Sequence, residues 1–125
     1  ITQSLVNALE KLGPVEVVVA ANTEHCDFVG EWSEVYPEAK ILGCPSLPEK
    51  KPELGFTGTL GASAPELYSE DIEQVAFTSV PLFNEVVFFH RRSSTLIVTD
   101  FYWNWPEKET SWQTKTFKLA MDKAY

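Results

Sequence analysis

An α/β fold, a mixed sheet with flanking helices, is the class this sequence predicts, and three observations predict it. Residues 15–21 (VEVVVAA) are a nearly all-apolar run, the composition of a strand covered on both faces. Amphipathic stretches lie on either side of it, and a second short apolar run, Ala39 to Leu42, follows. Helix and strand therefore alternate, as in βαβ units with a parallel region of sheet. Residues 84–100 (NEVVFFHRRSSTLIVTD) set two apolar runs, Val86 to Phe89 and Leu96 to Val98, around a short polar link. That is the pattern of adjacent strands joined by a tight turn.

Each element has a local reason. The first helix is capped by Thr2 or Ser4, carries Leu5, Leu9 and Leu12 on one face, and ends at Gly13-Pro14. After the strand of residues 15–21, Asn22 to His25 is a polar loop. Asp27 is placed to cap a second helix with Phe28, Trp32, Val35 and Tyr36 along its apolar face, stopped by Pro37. Following Ala39 to Leu42, Ser46 to Glu49 starts a helical turn with Pro48 early in it. Thr57 to Ser63, with two glycines, reads as loop, and Pro65 to Tyr68 as a turn of helix. Ile72 to Phe77 is a third strand, followed by a loop through Pro81 and the hairpin. The hairpin's second run is too apolar to face solvent, and it stops on Asp100. Beyond it lie an aromatic segment, Phe101 to Trp105, and a final helix from about Ser111 to Lys123.

The 125 residues amount to one domain, 1–125, with material for a core. A formal charge of -8, from 18 acids against 10 bases, repels phosphate backbones and anionic bilayers, which argues against nucleic-acid partners. No apolar run approaches the roughly 20 residues that span a bilayer. The chain is expected to be soluble, in a reducing compartment such as the cytoplasm or an organelle interior. Cys26 and Cys44 follow no CxxC spacing and are expected to be reduced, partly buried thiols.

Residues suited to chemistry are few. His25 leaves a buried strand, the place where sheet proteins put ligands. Asp100 ends one, either as a ligand or as a cap of the next turn. His90 lies at the hairpin turn and reads as exposed or stacking. There is no G-x-S-x-G elbow, P-loop or G-x-G-x-x-G pattern.

The run Asn22-Thr23-Glu24-His25-Cys26-Asp27-Phe28 after its strand, the segment Leu47 to Lys51, and the pair Glu85 to His90 and Thr95 to Asp100 resemble the metallo-β-lactamase-like superfamily. Within it they look like a branch known as a domain of unknown function, with a degenerate metal-binding motif. The first run aligns with that superfamily's T-H-x-H-x-D-H loop, and Asp100 with its metal-bridging aspartate. The resemblance implies a partial αββα sandwich lacking the N-terminal part of the full fold. It also implies a metal site of His25, Asp27 and Asp100 for at most one divalent ion (Zn, Fe or Mn). Thr23 and Phe28 stand where two histidines belong, and no histidine lies near Pro81-Leu82. A hydrolytic zinc site takes about three protein ligands and an open position. The expected function is therefore a non-catalytic or minimally metal-binding metallohydrolase-like domain for binding or assembly. Its partner would be another protein or a second copy, met through Phe101 to Trp105. The alternative is a metal-dependent hydrolase with a reduced mononuclear site.

Overall fold

The computed structural model describes residues 1–79, 84–102, 111, 112 and 115. Among the described residues two three-stranded sheets form the framework. One is parallel, in the order β1 (Val17–Ala20), β2 (Lys40–Gly43), β3 (Gly58–Thr59); the other is antiparallel, in the order β4 (Ile72–Phe77), β5 (Glu85–His90), β6 (Thr95–Ile97). Helix α1 (Gln3–Glu10) begins where the Thr2 hydroxyl accepts the Leu5 amide at 3.4 Å. Its buried residue is Val6, whereas Leu5 and Leu12 are exposed. The expected leucine face is thus displaced by one residue around the helix, and Leu12 lies past its end.

Strand β1 (Val17–Ala20) pairs in parallel with β2 (Lys40–Gly43), Val17 opposite Lys40 and Ala20 opposite Gly43. Only Ala20 of β1 is buried, and Val19 is exposed, so the strand is covered less completely than its composition suggests. Strand β3 (Gly58–Thr59) pairs with β2 inside the stretch expected to be loop. Gly58 explains the difference, since a Cβ there would meet Leu42 Cδ2 at 3.1 Å. A glycine that reads as a loop signal here permits close backbone approach. Thr57 reinforces the junction, its hydroxyl accepting the Ile41 amide at 2.9 Å and donating to the Ile41 carbonyl at 3.2 Å.

Helix α2 (Val29–Val35) crosses between β1 and β2 and packs on β1 through Val29. Its N-cap is Phe28, with no side-chain cap bond, so Asp27 does not cap it. Trp32 and Tyr36 stack with ring centroids 5.8 Å apart. The short helix α3 (Leu47–Lys50) has Pro48 in its first turn, as expected, and a 3-10 turn, Pro52–Leu54, follows. Pro65 to Tyr68 closes as a turn, the Tyr68 amide donating to the Pro65 carbonyl at 3.1 Å.

In the second sheet β5 (Glu85–His90) is central, flanked by β4 (Ile72–Phe77) and β6 (Thr95–Ile97). Glu85 to Phe88 are all buried. Strand β6 is exposed along its length, Leu96 at 57% and Ile97 at 47%, contrary to the expectation that so apolar a run is covered. Among the described residues it is a sheet edge, with a neighbour on one side only. Among the described residues the two sheets meet at one bridge, Asn22 opposite Glu85, where the Val86 amide donates to the Ala21 carbonyl at 2.7 Å. Val86 and Phe88 of β5 thereby join Ala20, Val29, Ile41, Cys44, Leu47 and Leu60 in one core.

The expected loop through Pro81, residues 103–105 of the aromatic segment, and most of the expected final helix lie outside the described residues. Among the described residues no helix is long and apolar enough to cross a membrane.

Candidate functional site: the polar centre where the sheets meet

The bridge between the sheets carries two fully buried polar side chains, Asn22 and Glu85. Unpartnered, each would cost several kcal/mol, on the order of the price of burying an amide or a charge without hydrogen bonds. Both have hydrogen-bond partners. Asn22 Oδ1 accepts the amides of Glu24 at 3.1 Å and His25 at 2.8 Å, which folds the loop after β1 back on itself. Its Nδ2 donates to Asp100 Oδ2 at 2.8 Å. Glu85 uses both oxygens, accepting the Thr99 amide on Oε1 and the Asp100 amide on Oε2, each at 2.8 Å. A buried carboxylate thus orders the turn after β6, and that turn presents Asp100 to Asn22.

His25 completes the centre from outside. Its Nε2 lies 3.0 Å from Asp100 Oδ2, the imidazole largely exposed and the carboxylate mostly covered. The structure therefore brings together two of the three expected site residues. Asp27 is not among the hydrogen-bond or ion-pair partners of Asp100: it is exposed and, with His25, Phe28 and Trp32, lines a cleft of about 350 Å³. Among the described residues no group of three His, Cys, Asp or Glu side chains is placed to hold a metal ion. Asp100 Oδ2, the oxygen nearest His25, also receives the Asn22 side-chain amide N–H at 2.8 Å. His90 is turned to its own hairpin, its Nδ1 2.6 Å from the Ser93 hydroxyl.

Sequence reasoning passed over Asn22 and Glu85. The available signal was an acid opening a strand whose next residues are all apolar, since such an acid is carried into the interior with them.

Both cysteines are free thiols and buried. Cys44 is pushed up to about 11, by burial first and then by the neighbouring Cys26. Cys26 accepts a hydrogen bond from the Lys51 ammonium at 3.1 Å and donates weakly to the Thr23 carbonyl at 3.8 Å. That contact is the chief cause holding the Lys51 pKa above its ordinary value. A second, apolar cleft of about 250 Å³ opens between Val17 and Val19 of β1, Ile97 at the end of β6 and Val98 just after it.

The fold and its centre define a class: a mixed α/β domain whose parallel and antiparallel sheets are joined through a buried amide–carboxylate network. A family model described as a domain of unknown function, DUF4336, matches residues 2–116, and the chain belongs to that family. No curated protein and no solved structure matches.

Proposed function

We propose that this domain is a binding or assembly module on a metallo-β-lactamase-like αββα scaffold, with no hydrolytic metal centre. The observation that carries the reading is the state of Asp100, the acid that the resemblance equates with the bridging ligand. Its Oδ2 accepts a hydrogen bond from Asn22 at 2.8 Å and lies 3.0 Å from His25 Nε2, so that oxygen already has two partners within the protein. Glu85 is likewise committed to two backbone amides. Carboxylates used in this way hold a fold together; they are not poised to activate water.

The apolar surface supports a binding role. Phe101 rests on Phe77 with ring centroids 4.4 Å apart yet stays 44% exposed, and Tyr102 beside it is 68% exposed. Exposed aromatic side chains of this kind are enriched at interfaces.

Protein purified without chelator tests the reading through elemental analysis, melting with and without EDTA, and light scattering. The expected result is substoichiometric Zn, Fe and Mn, a melting midpoint indifferent to EDTA, and self-association or partner binding weakened by Tyr102→Ala. One metal ion per chain, lost together with a hydrolytic activity in His25→Ala and Asp100→Ala, would establish the mononuclear hydrolase instead. A monodisperse monomer that captures no partner would also overturn the proposal.

A further inference from the structure

The Cys26 sulfur and the Lys51 nitrogen are 3.1 Å apart, and both ends of this contact are anchored. Cys26 follows the turn that Asn22 holds through the Glu24 and His25 amides, and its own carbonyl accepts the Val29 amide at 3.2 Å. Lys51 caps α3, its amide donating to the Leu47 carbonyl at 2.9 Å and its carbonyl accepting the Leu54 amide at 3.2 Å. Pro52 follows and fixes the next φ. An amine held against a thiol by two pinned backbones has the proximity that an intramolecular bond requires.

We infer that Cys26 and Lys51 are a modification site, joined on exposure to hydrogen peroxide by a sulfur–nitrogen crosslink, a sulfenamide. Cys26 is 2% exposed, but it borders the cleft beside His25 and Asp27, which admits a molecule as small as peroxide. In the first step the thiol sulfur attacks one peroxide oxygen. The O–O bond breaks, sulfur loses two electrons, and sulfenic acid and water result. In the second step the Lys51 ammonium releases one proton to solvent and its nitrogen attacks sulfur. The S–N bond forms as the S–O bond breaks, and the departing hydroxide takes a second proton from nitrogen as water. Peroxide is the oxidant for the whole sequence, and two waters are produced.

Lys51 is favoured over Cys44 as the group that captures the sulfenic acid. The Lys51 nitrogen is in hydrogen-bond contact with the Cys26 sulfur, at 3.1 Å. The Lys51 side chain is half-buried, and its amine releases its proton more readily once oxidation has weakened the sulfur as an acceptor. Asp27 and Glu24, whose carboxylates also favour the charged amine, remain as the opposing influence. The crosslink would tie the loop carrying His25 to the end of α3, whatever the domain binds.

Peptide mapping of the full chain after hydrogen peroxide, digested without reductant, tests this. The expected species joins the peptide containing residue 26 to that containing residue 51. It is lighter by two hydrogen atoms than their sum, and dithiothreitol returns both peptides. Lys51→Arg keeps the charge and the hydrogen bond to sulfur but is expected to abolish the linked species entirely, as is Cys26→Ser. A Cys26–Cys44 disulfide, a sulfinic acid at Cys26 with residue 51 unlinked, or an unmodified Cys26 would each overturn the inference.

Discussion

Replacing Glu85 is the sharpest probe of the polar centre. Its side chain is fully buried, and both oxygens accept backbone amides, from Thr99 and Asp100, at 2.8 Å. Hydrogen bonds to charged groups contribute about 1.5–3 kcal/mol each, so Glu85→Ala should cost roughly 3–6 kcal/mol. That is a large share of the about 5–15 kcal/mol that stabilises a typical domain. Glu85→Gln has nearly the same shape but turns an NH2 toward one of the two amides. One bond survives and two donors face each other, for a loss of about 2–3 kcal/mol. Urea unfolding followed by Trp fluorescence reads both variants. At an m-value of about 1.5 kcal/mol/M, a 4 kcal/mol loss lowers the midpoint by about 2.7 M. The expected order of stability is Glu, then Gln, then Ala. A Gln variant within about 0.5 kcal/mol of the parent would refute the reasoning, because the carboxylate would then not be using both oxygens.

Three further outcomes follow from the same geometry. Asn22→Asp keeps the oxygen that accepts the Glu24 and His25 amides but sets a carboxylate 2.8 Å from Asp100 in place of a donor. Repulsion raises the pKa of the new pair when folded, so the variant should gain stability as pH falls through the carboxylate range, and pH-independent stability would contradict this. His25→Ala should cost no more than about 1 kcal/mol, because the imbidazole is largely exposed and water screens its contact with Asp100; a larger loss by thermal melting would make His25 part of the interior framework. Finally, Cys44 is raised by burial to about 11, so the fold favours its neutral thiol. Its contribution is fully present below the unfolded pKa near 9 and is lost as pH rises toward 11, and Cys44→Ala should flatten that part of the stability–pH curve measured against the parent.

Much of the chain was legible because it depends on neighbours in sequence. Thr2 caps α1, Ile72 to Phe77 is β4 as read, and the polar link of residues 91–94 turns β5 into β6. Where local signals competed, they misled. Asp27 has the chemistry of a helix cap, yet the chain enters α2 through Phe28, since the turn held by Asn22 sets where the helix begins. Gly58 reads as loop but belongs to a strand, because the reason for a glycine there is the Leu42 side chain across the sheet.

The site divides along the same line. His25 and Asp100 could be named from strand ends, and the fold does bring them to 3.0 Å. Asn22 and Glu85 could not be named, because a polar residue at the end of an apolar run is as easily solvated as buried. What decides the matter is the bridge between Asn22 and Glu85, which joins positions 63 residues apart and closes both sheets over them. The sequence by itself determined the alternation of elements and the strand-end location of His25 and Asp100, since hydrophobic period and turn chemistry are local. Only the tertiary structure decided that the Asp100 and Glu85 carboxylates are hydrogen-bond acceptors within the fold. Burial and partnership depend on what the rest of the chain packs against them.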